Sequence, residues 1–375
     1  MGKHHTAPDH GRKTIAGRSA TDLRTVAIAI AALTLFVVAM IASYSGAFAK
    51  PTLHHMSVAV AGPEGFATAV GGQDALSVNE VHDADAARAE VYERRADAAL
   101  VAAPDGTMTI YVAGGGGRSV ATAAETVGRG VAATAGLTPA VEDVAPTSAG
   151  DPSGTVEFYA IIFLSIGATL GAAVFGRIMG TVRAPGTLML RTLTLAGYSA
   201  LLAAAVTSYV DPILGALTGH TWQLFAALWL YAMAVGGAVT GVAAAFGSAA
   251  SLALTLFLVI IGNAAAAGPV GRPLLSTFYS TFTSIVPQGS GVSLLRSVQY
   301  FGGNGAHAPL VALAIWGAAG CGLAVLGAVV GRAAERPAAP VALNYRRQHD
   351  AVSDLTGIDG RERAILRPGV LSPAD

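Results

Sequence analysis

Residues 157–176 read EFYAIIFLSIGATLGAAVFG, and residues 222–247 read WQLFAALWLYAMAVGGAVTGVAAAFG. Each is an apolar run matching the roughly 20 residues a helix needs to cross a bilayer. They belong to a block, 156–331, with further runs at 186–210, 248–268 and 309–331. The acidic residues of the block are Glu157 and Asp211, both at run ends. In hydrocarbon a backbone has no water to bond, so such runs are read as helices that satisfy their own main chain. Ahead of the block, 25–49 is another apolar run. The expected fold is an α-helical integral membrane protein of six transmembrane helices, with a small α/β domain inserted between helices 1 and 2.

Charged residues are 12% of the 375, about half the share usual in soluble domains, and the deficit sits in the apolar block. Lys and Arg together number 23, as do Asp and Glu, so net charge points to no partner and the distribution carries the information. Residues 1–24 form a basic arm with Lys3, Arg12, Lys13, Arg18 and Arg24. His4 and His5 lack further ligands and read as a solvated tail. The run 25–49 ends in Ala47-Phe48-Ala49, which resembles a signal-peptidase site, but it exceeds the roughly 7–15 apolar residues of a cleaved leader. An uncleaved signal anchor is expected. The single cysteine, Cys321, lies within an apolar run, which excludes an intramolecular disulfide.

Lys and Arg mark cytoplasmic loops. The basic arm starts inside and the first run exits, which puts 50–155 outside. The loop after the second run carries Arg177 and Arg183, with Arg191 at the next helix start, whereas 211–221 has no Lys or Arg. The tail 332–375 carries seven arginines and is expected to be largely disordered. The expectation is a multi-pass protein of the cell membrane with both termini cytoplasmic.

In the domain 50–155, residues 58–61, 99–101 and 107–112 carry strand patterns. Residues 83–96 read as a helix with Asp83 as N-cap, and 120–135 as a second helix. The order strand, helix, strand, helix, strand, strand, helix indicates a small α/β domain. Its acids outnumber its bases, against a nucleic-acid partner. Gly114–Gly117, before Arg118 and Ser119, lacks the phosphate-loop spacing and its Lys-Ser/Thr pair; it reads as a flexible turn ahead of a helix. Residues 145–154, rich in Pro, Ser and Gly, read as the linker back to the bilayer.

Residues 269–308 are not an ordinary loop. Residues 274–286 are apolar and aromatic but too short to span, Pro287-Gln288 interrupts them, and 291–300 reads as a second short helix carrying Arg296. Apolar segments of about 10–14 residues tend to be re-entrant or interfacial. Two readings stay open: an outer gate, with Pro273, Pro287, Arg296 and Tyr300 as candidate residues, or a surface helix that seals the bundle.

Proton-driven carriers and membrane enzymes place acids or histidines inside the bundle; these runs hold almost none. No catalytic, cofactor-binding or metal-binding set can be assembled, so uphill movement of a solute would need energy from another chain. The polar exceptions are Arg191, early in the third run, and Asn263, late in the fifth. Gly167/Gly171, Gly237/Gly241 and Gly327/Gly331 permit close helix approach.

Along its whole length this layout resembles the type-2 ABC exporter permeases, in the subgroup of the phage-infection-protein and nitrosoguanidine-resistance-like membrane proteins. The resemblance rests on the topology, on Gly271-Arg272-Pro273-Leu274-Leu275, Ile285-Val286-Pro287 and Leu294-Leu295-Arg296-Ser297-Val298-Gln299-Tyr300-Phe301-Gly302-Gly303, and on residues 56–63 as a first strand. It implies a permease half without catalytic activity of its own, which forms a homo- or heterodimer in membrane lipid and docks a separate cytoplasmic ATPase subunit. The coupling loop would then be 176–186, with Arg177 and Arg183; topology and lipid headgroup binding account for those arginines equally well. The implied cargo is an amphipathic, lipid-like or drug-like solute. The competing reading is a non-transporting membrane scaffold or surface receptor whose exported domain binds a partner.

Overall fold

The computed structural model describes residues 12–72, 74–180 and 185–335. Arg183, the start of the basic arm and the tail beyond 335 lie outside the described residues. The protein is mostly helical, with one small sheet. Five helices are long and apolar enough to cross a membrane: Leu23–Phe48, Val156–Met179, Gly186–Ile213, Thr221–Phe246 and His307–Val330. Contacts divide the chain into a compact unit Met1–Val329 and a second, Val330–Asp375; the sheet and the helices discussed below up to Val329 belong to the first.

Helix α1, Arg12–Phe48, begins inside the stretch expected to be a flexible arm. Helix propagation is easy once an apolar run has nucleated it, and residues 12–24 contain few breakers. Most large side chains of its apolar part, from Leu23 to Ile41, are exposed, with Phe36 and Met40 half-buried, a surface suited to lipid. Ser43 and Ala47, near its end, are buried.

The sheet follows, ordered β2-β1-β3-β4-β5. Its strands are β1 Met56–Ala61, β2 Leu76–Glu80, β3 Ala98–Ala102, β4 Thr107–Val112 and β5 Thr138–Asp143. β1 pairs in parallel with β2 and β3, β3 and β4 are antiparallel, and β4 and β5 are parallel. Helix α2 Phe66–Gly71 joins the parallel partners β1 and β2 and α4 Arg118–Ala135 joins β4 and β5, while α3 Ala84–Tyr92 carries the chain from β2 across to β3 on the other side of β1. As the sequence indicates, Asp83 caps α3, its side chain accepting from Ala86 N at 2.8 Å. Strand β5 escapes the sequence reading because Pro139, Glu142 and Asp143 mask its pattern; it lies at the sheet edge, where proline is tolerated.

The remaining helices are α5 Val156–Met179, α6 Pro185–Ser208, α7 Thr221–Phe246, α8 Ser248–Phe257, α9 Thr277–Thr283, α10 Pro287–Tyr300 and α11 His307–Glu335. The stretch read as a linker is firmly bonded. Asp151 accepts from Thr155 N and Val156 N at 2.7 Å each, satisfying first-turn donors of α5. Gly motifs serve packing within the chain: a side chain on Gly241 would run into Gly320 O, one on Gly327 into Ala244 O, and one on Gly171 into the Tyr198 ring.

The run 248–268 departs from a simple spanning helix. Helix α8 passes into a π-helical turn, Leu258–Gly262; the apolar helix Ser248–Gly262 is about 22 Å long at 1.5 Å per residue, short of the roughly 30 Å hydrocarbon core. A π turn shifts the hydrogen-bond register and leaves carbonyls to be satisfied elsewhere. Ser43 Oγ donates to Ile260 O at 2.8 Å, and Gln288 Nε2 donates to Leu258 O at 2.9 Å and contacts Ser165 Oγ at 3.1 Å. Two separate elements, α1 and the helix that carries Gln288, are thereby fastened to one irregular turn, and Gln288 links it to Ser165 of α5.

Three apolar clusters organise the molecule. One fills the bundle, from Phe158 and Ile161 to Tyr231 and Leu295. The second combines one face of the sheet (Val58, Val60, Leu100, Ile110) with Ala264, Val270, Leu275, Tyr279 and Val286. The third combines the other face (Ala59, Ala99, Val101) with Val91 of α3 and with Phe301. The α/β domain therefore grips the segment before the last helix on both faces of its sheet.

Candidate functional site

The grip centres on Arg296. Helix α10 starts at Pro287, a residue suited to the first turn because its missing N–H is not needed there. Nine residues on, Arg296 is only 4% exposed. Its Nη1 donates to Gly116 O and Ala267 O at 3.1 Å each, and its Nη2 to Gly268 O at 3.0 Å and Gly154 O at 3.4 Å. One guanidinium thus ties the glycine turn of the domain, the loop before α5 and the coil after α8. Ala267 has a left-handed backbone, φ +55°, a cost of roughly 1–3 kcal/mol for a non-glycine residue. Buried non-helical backbone survives where protein groups satisfy it, and Arg296 is that group for Ala267 and Gly268.

The glycine turn is not flexible. Gly114 N donates to Asp143 Oδ1, Gly115 N to Ala145 O, Gly116 N to Ala113 O and Gly117 N to Gly114 O. With its four N–H groups already bonded inside the fold, the turn offers no phosphate cradle. Its small residues instead admit the end of α10. A Cβ on Gly115 would run into the Tyr300 ring, and Gly117, at φ +144°, lies 3.5 Å from Arg296 Nη1 measured from the position of a built Cβ.

Glu157, in the first turn of α5, is 0% exposed, and its carboxylate makes no hydrogen bond among the described residues. It lies within electrostatic reach of Arg296 and close to the Tyr300 hydroxyl, without ordinary hydrogen-bond geometry to either. The sequence placed Glu157 at a run end; in the structure it is buried, with Arg296 and Tyr300 of α10 and Asp151 as its electrostatic neighbours.

Beside Arg296 lies a cavity of about 340 Å³, at the small end of the range for ligand pockets. Its walls include Arg94 and Asp97 of the domain, Arg272 and Pro273, and Ser290 and Ser293 of α10. Arg94 follows α3 with a left-handed φ of +61°. Its Nη1 donates to Ser293 O at 2.8 Å and Ser297 Oγ at 2.5 Å, its Nη2 to Ser293 Oγ at 3.2 Å, and the guanidinium stands 5.0 Å from the Phe301 ring centroid. These bonds and the cation–π contact hold the strained backbone in place. Burial, together with repulsion from Arg296, pushes Arg94 down to about 10, so it stays cationic at neutral pH. Asp97 Oδ2 accepts from Ser57 N at 2.9 Å; burial raises its pKa, against the lowering effects of that bond and of Arg272 and Arg94.

Of the candidate gate residues, Arg296 and Tyr300 converge on the glycine turn, Pro273 lines the cavity and its carbonyl accepts from His54 N at 2.7 Å, and Pro287 opens α10. The two polar exceptions differ: Arg191 is bonded at a helix end, whereas the buried Asn263 amide makes no hydrogen bond among the described residues. Arg191 Nη1 donates to Gly180 O at 3.1 Å, closing the end of α5, a role suited to a cation at a helix C-terminus. Asn263 is wholly buried near Tyr44 of α1. Arg177 is exposed at the end of α5. Arg94, Asp97 and Arg272 were not singled out from the sequence. Among the described residues no three His, Cys, Asp or Glu side chains gather as metal ligands. Comparison with protein-family models, curated proteins and solved structures returns no match.

Proposed function

We propose that the chain is the membrane subunit of an ABC-type exporter. In this reading it crosses the cell membrane six times, with the buried coil after α8 completing the short fifth crossing. Both termini are cytoplasmic and the α/β domain is outside. Two copies, or this chain and a related one, dock a separate cytoplasmic ATPase and move an amphipathic, lipid-like or drug-like solute.

The observation that carries the reading is the cavity formed jointly by the α/β domain and the segment 269–306, next to the start of α11. A solute-handling site at the rim of a helical bundle fits a permease better than a tethered receptor domain. Inside the described spans, the buried Glu157 is engaged electrostatically with Arg296, and Arg191 bonds Gly180 O.

The test is ATP-dependent uptake of a fluorescent amphiphile into inverted membrane vesicles, with co-purification of an ATPase. Both are expected, and Arg177→Glu should reduce uptake severalfold without removing the protein from the membrane. Uptake indifferent to ATP, with no ATPase recovered, contradicts the proposal. A protein partner bound to the α/β domain in the absence of uptake would put the scaffold reading in its place.

A further inference from the structure

The cavity has a charge problem of its own. Three guanidinium groups, those of Arg94, Arg272 and Arg296, line it against one carboxylate, that of Asp97. Glu157 and Asp151 both act on Arg296 from outside the cavity and offset its charge. At the wall itself the two other guanidinium groups, those of Arg94 and Arg272, face the one carboxylate of Asp97, a local excess of one positive charge. The first turn of α10, through Gly289 and Ser290, adds the positive end of a helix to the same wall.

The arginines are not equivalent. Arg94 and Arg296 use their Nη atoms on protein oxygens. Arg272 is exposed at the wall, and its side chain has no hydrogen bond or ion pair among the described residues. Arg94 and Arg296 are held in place by their bonds, whereas Arg272, which acts on Asp97 only through its charge, keeps its guanidinium nitrogens for an occupant. Hydroxyls of Ser290, Ser293, Thr283 and Ser284 line the same space. The remaining wall is apolar or small, and Ala308, Pro309 and Ala312 belong to the start of α11, one of the five candidate spans. A polar, positive end meets an apolar side that runs along a membrane helix.

We propose that this cavity binds the singly charged oxyanion head, phosphodiester or carboxylate, of a lipid-borne amphiphile, with Arg272 closing on the head and the apolar tail lying along α11. As a statement about a transported solute this rests on the permease reading; as a binding site it rests on the cavity alone. A guanidinium–oxyanion contact is bidentate and charge-assisted, which is why the free arginine, and not the hydroxyls, sets the preference.

The full-length chain in neutral-lipid nanodiscs is titrated with lysophosphatidylglycerol, which carries one negative charge, and with zwitterionic lysophosphatidylcholine and inorganic phosphate. Lysophosphatidylglycerol should bind at least tenfold more tightly than lysophosphatidylcholine. Arg272→Glu should abolish that preference. Asp97→Asn, which removes a negative charge and keeps an acceptor for Ser57 N, should tighten binding severalfold, an effect no loss of folding produces. Competition by inorganic phosphate with the same dependence on both variants supports the oxyanion site and assigns it a soluble source. Equal affinity for the two lysolipids, or binding unchanged in both variants, overturns it. Binding as expected with no ATP-dependent uptake leaves the site standing and removes the permease reading; uptake that ignores head charge does the reverse.

Discussion

Arg296 holds more of the structure than any other single side chain, because four main-chain carbonyls from three parts of the chain converge on it. Arg296→Gln would orphan several of them and leave Glu157 buried without its counter-charge. Breaking such a buried arrangement from one side costs about 3–5 kcal/mol, and a fall of several degrees in the detergent melting temperature is the expected result. Adding Glu157→Gln removes the stranded charge and should recover part of the loss; a double variant no better than the single one would show that the carboxylate is irrelevant. Asp97 gives a pH signature. Its folded-state pKa is raised, so between the unfolded and folded values the native state binds the extra proton, and stability declines as pH rises through the folded value. Asp97→Asn should therefore melt higher than the native protein at pH 8, with the difference vanishing near pH 4. Arg296 was visible in the sequence as a lone charge in an apolar segment. Arg94 was not, because Glu93-Arg94-Arg95 reads as a solvated charge run; its role depends on a left-handed backbone that only the packed structure reveals.

At the scale of elements, the joint between the α/β domain and α10 is a hydrophobic contact of definite shape. Phe301 is 1% exposed within the sheet's second core, so Phe301→Ala should cost about 3–5 kcal/mol. Gly115→Val forces the Tyr300 ring out of its seat and should cost about 1–3 kcal/mol. Both should speed hydrogen exchange at β3 and at the glycine turn while sparing the α6–α7 pair; exchange unchanged at the turn would mean that the domain does not depend on α10. The π turn makes a similar point. Gln288→Ala removes donors to Leu258 O and Ser165. The sequence marked 248–268 as apolar and of spanning length, which is what composition can say. It did not mark the break, since nothing in Leu258–Gly262 differs in kind from its neighbours; the partners that favour the irregular turn, Ser43 and Gln288, lie 217 and 30 residues from the carbonyls they serve. The glycine turn was likewise recognised as a turn before a helix, but its rigidity comes from Asp143, Ala145 and Arg296, which are far away in sequence.

For the molecule as a whole, the legible part was the part governed by solvent. Runs of apolar residues must find lipid or each other, and this alone gives the helical class and all five long apolar helices, four of them from the five runs of the block. The α/β character of 56–143 was legible from strand and helix periods. What was not legible was the way these two parts meet, because the residues at the joint are ordinary one at a time: an alanine with a left-handed backbone, a glutamate at a run end, a phenylalanine before two glycines. The proposed function requires that the α/β domain and the α5–α6 loop face opposite sides of the membrane. The native chain has a single cysteine, Cys321, so Cys321→Ala gives a clean background for labelling. Thr134→Cys, exposed on α4, and Arg177→Cys, exposed at the end of α5, are then treated with a membrane-impermeant maleimide in intact cells. The account predicts that Thr134→Cys is labelled directly and Arg177→Cys only after permeabilisation. Labelling of Arg177→Cys in intact cells, or protection of Thr134→Cys, would contradict it.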